Sequence, residues 1–537
     1  MPFVEAPLVA RTKGFGVSRV FKAAQRQLTF EDAQVQCGGL MDKDSFFALL
    51  GEHGHKWIVD EDYSALYDPH FGRCCVPPSL LVRALLLQNY RGCSDRELVE
   101  RIRFDLRYKV ALGVKVDYPG FDPSLLSIFR ARLILHRKDS LAFEKTVDAA
   151  RQAGLVGDVQ PIDSMPIFGA AALQDTYTLI RTGIEKLLVS IKKQRDEWKG
   201  SRGFKYPFTA KKYEKGKGKA DIDWNDKAQR QLHLNELVED ASSLIEAVEA
   251  SKMIHSKRVQ GPLELLRKIL SQDIEQSPEG DAHITRGGKD RIISTNDPES
   301  RHGHKTSCDL IKGYKGNFTV SEHEIVTSVA VTPANAADTA PVESMMEDLK
   351  SRGCLPKKLP ADCAYGGADF RALMEAKGVE VVAKVPKPPN SERFPKADFL
   401  INLGARTVTC PAGETTYTFR ETKDAQGRET KTFRFTGCPS CALRDKCIPN
   451  SERTRSIQLH YNESYLQKAK QKAAEPGFRD EMKGRLVVER VQGRLQSYGL
   501  SASRYFGLRK TLLQAVFTAT ANNIWKLIIP TNLRGSP

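Results

Sequence analysis

The nine residues LPADCAYGG, Leu359–Gly367, end a short apolar run on an aspartate, Asp362, and follow it with a tyrosine and two glycines. The run reads as a buried strand, and the glycines as the turn that leaves it. Upstream lie two β-rich stretches, SCDLIKGYKGNFTV and EIVTSVAVTPAN, the first with a Gly-containing turn inside it. A helix is expected over 339–352. Downstream come a helix over 370–377 and the strand VEVVAKVP. Strands, helix, strand, helix, strand predicts an α/β fold: a mixed sheet with helices packed on it.

A second aspartate has a similar setting. In VQPIDSMPIFGAA, starting at Val159, a short strand is expected to end near Asp163 and turn. A third acid, Glu489, lies in RLVVERVQGRL. At a period near 3.6, Leu486, Val487, Val491 and Leu495 form the apolar surface of that helix. Arg485, Glu489, Gln492 and Gln496 fall on the adjoining stripe. Singly, each aspartate reads as a turn former and the glutamate as half of a surface ion pair. Together the three carboxylates could meet, and their mutual repulsion then calls for cations. Mg²⁺ or Mn²⁺ suits such oxygen ligands and also takes phosphate oxygens. Two such ions about 4 Å apart stabilise both the attacking and the leaving oxygen of a phosphoryl transfer. Asp163, Asp362 and Glu489 are therefore the candidate catalytic and metal-binding residues.

A net charge of +16 over 537 residues favours a polyanionic partner. Residues 40–140 read as helical. PPSLLVRALLLQNY starts on prolines, Ser94 and Glu97 make a capping box, and PSLLSIFRARLILHR has Asp122 as N-cap. Helix, short turn, helix in a basic setting permits a helix-turn-helix that holds DNA, with Arg96 a candidate contact, and equally a small packing module. From Lys192 to Lys219 there are eleven Lys or Arg against three acids, with Trp198, Phe204, Tyr206, Phe208 and Tyr213 interleaved. Such a segment is expected not to bury a core. It suits DNA contact through Lys211 and Lys212, or a solvated linker.

No run of about 18 apolar residues occurs, so no membrane association is expected. The first thirty residues lack the apolar segment of a signal peptide, and a cytoplasmic location is expected. In a reducing compartment the eleven cysteines are thiols or metal ligands. Seven are scattered: Cys37, Cys74, Cys75, Cys93, Cys308, Cys354 and Cys363. Cys438, Cys441 and Cys447 have the pattern C-x2-C-x5-C, with Cys410 a candidate fourth and His460 an alternative. That spacing points to a structural Zn²⁺; the other reading is four ordinary thiols.

At these residues the chain resembles the DDE transposases of bacterial insertion sequences, most closely insertion-sequence family eleven-eighty-two. The blocks YRGCSDRELVERIRFDLRYKVALG with FDPSLLSIFRARL, IDSMPIFGAAALQDTYTLIR, DPESRHGHKTSCDLIKGYKGNFTV, and PADCAYGG with VVERVQGRL, RYFGLRKTLLQA and TANNIWKL carry the likeness, in order, from about residue 40 to 528. The resemblance implies an RNase H-like core with acids on the first strand, the fourth strand and a late helix: Asp163, Asp362 and Glu489. It implies cleavage at terminal inverted repeats of double-stranded DNA, joining of the 3′-OH to target DNA, a homodimer on DNA and association with the nucleoid. Arg485, Gln492 and Gln496 become candidate DNA contacts. The wider superfamily has Y-x2-R-x3-E-x6-K; here Met482 and Gln496 replace its Tyr and Lys. Met165 stands where relatives have Thr, and Pro360 lies in the second Asp strand. The expected layout is an N-terminal extension (1–39), an all-helical DNA-binding domain (40–150), an RNase H-like core (151–180, 281–386 and 476–530), a basic helical insert (181–280) and a Cys-rich β insert (387–475). A nuclease that does not join strands and a catalytically silent DNA-binding derivative are the alternatives.

Overall fold

The computed structural model describes residues 29–68, 75–197, 204–213, 222–278, 280–285, 288, 290–304, 309–386, 393–424 and 426–528. Trp198, Cys74 and Cys308 lie outside them.

The N-terminal region is helical: α1 (Ala33–Cys37), α2 (Phe46–His53), α3 (Pro78–Arg91), α4 (Asp95–Phe104), α5 (Leu106–Leu112), α6 (Ser124–Leu135) and α7 (Leu141–Gln152). Helix α3 begins on Pro78, whose missing N–H would have had no partner in the first turn, and stops at Gly92, in the left-handed region (φ 64°). Ser94 then caps α4, its hydroxyl accepting from Glu97 N at 3.2 Å. Leu81, Leu85 and Leu86 bury α3 at the centre of this module. Helices α4 and α6 each keep an exposed face.

Next come β1 (Ile162–Phe168) and three long helices, α8 (Thr176–Glu197), α9 (Lys227–Glu249) and α10 (Lys257–Asp273). A small hairpin follows, β2 (Ile274–Gln276) with β3 (Ala282–Ile284). Then come β4 (Arg301–His304), β5 (Leu310–Val320), β6 (Val326–Pro333), α11 (Val342–Ser351), β7 (Lys358–Pro360), α12 (Ala368–Ala376) and β8 (Glu380–Val382). Strand β5 pairs antiparallel with β1, β4 and β6. β7 pairs in parallel with β8 and meets the chain just before β1 through the parallel bridge Val159–Lys358. The central order is β6–β5–β1–β7–β8.

Two expectations about this sheet are corrected. Asp163 is the second residue of its strand, not the last, because β1 runs on through Pro166 to Phe168. Odd-numbered positions bond to β5: Val320 N donates to Pro161 O and Gly169 N to Lys312 O. Even-numbered positions face the other way: Gln160 N donates to Lys358 O and Phe168 N to Ser501 O. Pro166 is on the even side, past the end of β7, so its missing N–H breaks no ladder. The turn expected inside β5 is also absent. Gly313 (φ 140°) stays in the strand because a Cβ there would come within 2.3 Å of Gly169 N. The hairpin turn is at 321–325, where Glu324 takes a positive φ of 63°.

The segment expected to be unable to pack, Lys192–Lys219, is corrected in its described part. Tyr213 is buried, and Phe204, Tyr206 and Phe208 pack against the core of α8, α9 and α10. Aromatic side chains there outweigh the lysines between them.

The chain then forms two three-stranded sheets, β9 (Leu400–Asn402) with β10 (Thr407–Thr409) and β11 (Thr415–Thr416), and β12 (Phe419–Lys423) with β13 (Glu429–Arg434) and β14 (Ser456–Leu459). Four helices close it: α13 (Glu463–Ala474), α14 (Phe478–Lys483), α15 (Leu486–Leu495) and α16 (Leu508–Ile528). The apolar face of α15 is rotated from expectation. Val488, Val491 and Leu495 are buried, whereas Leu486 is 51% exposed, since the chain breaks at Gly484–Arg485 and restarts the helix in a new phase. Helix α16 serves two cores. Leu513, Phe517, Ala521 and Ile524 close the N-terminal helical core, and Ala515, Val516 and Ala519 pack into the sheet core. Among the described residues no helix is long and apolar enough to cross a membrane.

Candidate active site

Asp163, Asp362 and Glu489 come from β1, from the turn after β7 and from α15. The parallel bridge Val159–Lys358 sets the first two in step. Asp362 caps the short turn that follows it, accepting from Ala364 N at 2.9 Å. Gly366 must be glycine, because a Cβ would lie 2.0 Å from Lys384 O. Buried Arg371 fastens this turn to β8: its guanidinium donates to Gly366 O (3.0 Å), Val381 O (3.0 Å) and Ala383 O (2.5 Å). Across the site, a Cβ on Gly484, at the α14–α15 junction, would sit 3.8 Å from the Pro360 ring.

Arg485 joins the acids. Its Nη2 lies 2.9 Å from Glu489 Oε1 and 3.5 Å from Asp163 Oδ2. Burial pushes the Asp163 carboxyl up to about 6; Arg485 and the Ser164 N–H oppose this, and the charge of Asp362 adds to it. So Asp163 responds to both other acid-bearing segments. Tyr365 is fully buried under the site, and burial, then the charges of Asp338, Asp163 and Asp362, hold its hydroxyl far above the usual tyrosine range. That hydroxyl faces Ser164 without a well-formed hydrogen bond. It therefore keeps its proton and a free donor beside the carboxylates.

Among the described residues, no three His, Cys, Asp or Glu side chains are arranged to hold a metal ion as they stand. At the acids the local reason is visible. Asp362 caps its own turn, Asp163 accepts from Ser164 N at 2.9 Å, and Arg485 sits between Asp163 and Glu489. The donor set still fits a hard divalent ion: carboxylates from three elements, with a guanidinium already meeting their demand for positive charge.

The other candidate residues scatter. Gln492 is 9% exposed, one turn beyond Glu489, and its Nε2 is buried without a hydrogen-bond partner. Gln496 is exposed and opens the wide turn Gln496–Leu500 that ends α15. Arg96 lies on the exposed face of α4, in a groove shared with Arg103, Glu100 and Asp122. Lys211 is exposed on the α8–α9 connection. Lys212 is committed elsewhere: its Nζ pairs with Asp240 at 2.8 Å and with Glu236. Cys410, Cys438, Cys441 and Cys447 line one cavity. His460 is not among its lining residues; its Nε2 lies 3.6 Å from Asp369. Sequence reasoning missed Arg371 and Tyr365. Tyr365 stands in the stretch that was read first, but nothing local says that its hydroxyl turns in under the acids.

Residues 409–528 match a family model described as "Transposase DDE domain", and residues 37–132 match one described as "Transposase domain (DUF772)". Neither a curated protein nor a solved structure matches the chain. The first match contains Glu489 and all four clustered cysteines; the second contains α3 and α4. Together they support a DDE transposase, a DNA-cleaving class of enzyme. A DDE domain implies an RNase H-like fold, with which the order β6–β5–β1–β7–β8 agrees.

Proposed function

We propose that the chain is an insertion-sequence transposase of the family it resembles. It binds the terminal inverted repeats of its element, cuts DNA at their ends and joins the freed 3′-OH to target DNA. The observation that supports this most is the meeting at Arg485, whose one nitrogen lies near both Asp163 and Glu489 across 322 positions of sequence, with Asp362 acting electrostatically on Asp163. Crowding carboxylates costs stability, so the cluster needs a chemical reason.

Mg²⁺ or Mn²⁺ would be held by Asp163, Asp362 and Glu489. Such ions, when bound as a pair, polarise the scissile phosphate and lower the pKa of the attacking water. The chain does the rest. Arg485, released from its carboxylates, takes a phosphate of the scissile strand. Tyr365, still protonated, donates from beneath the acids. Arg371 and Gly366 hold the Asp362 turn in register. Exposed Gln496, just past the end of α15, faces DNA, while Gln492 is buried beneath that stripe, and Arg96 and Lys211 offer charge to the phosphate backbone from the N-terminal helices and the α8–α9 connection. Two chains hold the two ends.

The test is cleavage and joining with DNA carrying the element's ends. Wild type in Mg²⁺ should cut at the repeat boundary and, given pre-cut 3′-OH ends, yield joined product. Cutting without joining would make it a nuclease. Binding with neither would make it a silent derivative.

A further inference from the structure

The β insert holds a second polar centre that strand chemistry does not use. Cys410, Cys438, Cys441 and Cys447 line a partly open cavity of about 20 Å³, with Glu414, Arg444 and Arg455 also in its wall. The backbone presents these thiols on tight turns. Cys410 opens the turn Cys410-Pro411-Ala412-Gly413, closed by Gly413 N donating to Cys410 O at 2.9 Å. Cys438 opens a second, with Cys441 N donating to Cys438 O at 3.3 Å. Cys447 follows the short turn Arg444–Lys446.

Backbone N–H groups already point at sulphur. Leu443 N lies 3.4 Å from Cys441 Sγ, and Arg455 N lies 3.4 Å from Cys438 Sγ. A neutral thiol accepts weakly; a thiolate accepts well. Two guanidinium atoms of the wall, Arg444 Nη1 and Arg455 Nε, are buried with no hydrogen-bond partner. Other nitrogens of these two guanidinium groups donate to Glu452 O, Cys447 O and Phe394 O, and a buried donor left unpaired is costly. Around four thiolates and one Zn²⁺ the net charge is −2; with the Glu414 carboxylate in the same wall, the two arginines offset most of the negative charge. The insert also needs a staple. Among the described residues, eight buried and five partly buried side chains make up its core cluster, a small core for two three-stranded sheets.

We propose that Cys410, Cys438, Cys441 and Cys447 bind one structural Zn²⁺. Each thiol gives up its proton, so one Zn²⁺ replaces four H⁺, and the four sulphurs close on the ion where the cavity now stands. The site carries no open position for a substrate. It fixes the insert, and the insert leans on the catalytic core: Asp369, at the start of α12, is held by Arg428 (3.1 Å), Asn462 (3.1 Å) and Tyr461.

The test is metal analysis of full-length protein purified under reducing conditions without chelator. Wild type, Asp362→Asn and His460→Ala should each carry about one zinc per chain, and Cys441→Ser and Cys447→Ser should lose most of it. Cobalt exchanged into wild type should give the intense near-ultraviolet bands of thiolate–cobalt charge transfer. Should the serine variants fail to fold, wild type decides alone: four thiols should resist alkylation until a chelator is added. Folded wild type that holds no zinc and takes up no cobalt would overturn the proposal, as would zinc lost in His460→Ala or any disulfide among the four cysteines in protein never exposed to oxidant. Retention of zinc by Asp362→Asn keeps this test separate from the transposase reading, which could fail while the zinc stays.

Discussion

Asp163 and Asp362 each stand four residues beyond the bridge that joins Val159 to Lys358 in parallel. One backbone register thus carries both aspartates to the same end of the central sheet. The charge of Asp362 pushes the Asp163 carboxyl further up from its ordinary range, adding to burial. In the proposed reaction Asp362 acts through its charge. Asp362→Asn keeps the shape and much of the turn cap but removes that charge. End cleavage should fall about 10³-fold or more, the scale on which one preorganised charge-stabilising group matters. DNA binding should persist in a gel-shift titration. Unchanged cleavage in Mg²⁺ would remove Asp362 from the catalytic set.

Arg485 lies between Asp163 and Glu489 and offsets part of their charge. Arg485→Ala leaves their repulsion uncompensated, so Mn²⁺ should bind tighter than to wild type when titrated calorimetrically without DNA. The same variant should bind DNA more weakly and lower the slope of log affinity against log salt by about 1. A salt slope identical to wild type would mean that this guanidinium never reaches a phosphate.

Gly366→Ala puts a methyl group 2.0 Å from Lys384 O. The backbone must move, and the loss of stability should be about 2 kcal/mol or more in urea denaturation. Because the shift acts on the turn that Asp362 caps, cleavage by the folded fraction should drop as well. A variant as stable as wild type would contradict the close approach.

Glu324 is buried among Arg490, Arg494 and Lys526, with Arg494 and Lys526 each 2.6 Å away. Burial alone would raise its pKa, but hydrogen bonds from Lys526 and Arg494 outweigh it and bring the carboxyl down to about 2. A folded-state pKa below the unfolded one stabilises above the unfolded value and is lost as acid is added. This contribution should be complete above about pH 4.5 and fade as pH falls toward 2. Glu324→Gln should cost about 3 kcal/mol at pH 7, since three cations lose their partner. It should also flatten the acid limb of the melting-temperature profile. An unchanged acid limb would show that the cluster contributes nothing.

How far this was legible from sequence depends on how local each signal is. A carboxylate after an apolar run, and a glutamate four residues after an arginine on a helical repeat, are local patterns. They led to Asp163, Asp362, Glu489 and Arg485, which the fold brings together or couples electrostatically. The length of β1 was not local. Whether Pro166 ends the strand depends on which edge is paired, and that is set by β5 and β7, about 150 and 190 residues away. The burial of Val488 instead of Leu486 depends on where Gly484 breaks the helix. The packing of Phe204, Tyr206, Phe208 and Tyr213 was masked by the lysines among them, because composition averages over a segment while packing selects single side chains.

The double duty of α16 bears on how the chain is made. Leu81 and Leu85 share a core with Leu513 and Phe517, contributed by α16, which leaves the ribosome long after α3. The N-terminal module therefore waits, through the synthesis of some four hundred residues, for the segment that seals it, and such late long-range closure is slow and exposes apolar surface meanwhile. A nascent chain or a frameshifted product stopped before α16 would present that open core to chaperones and proteases.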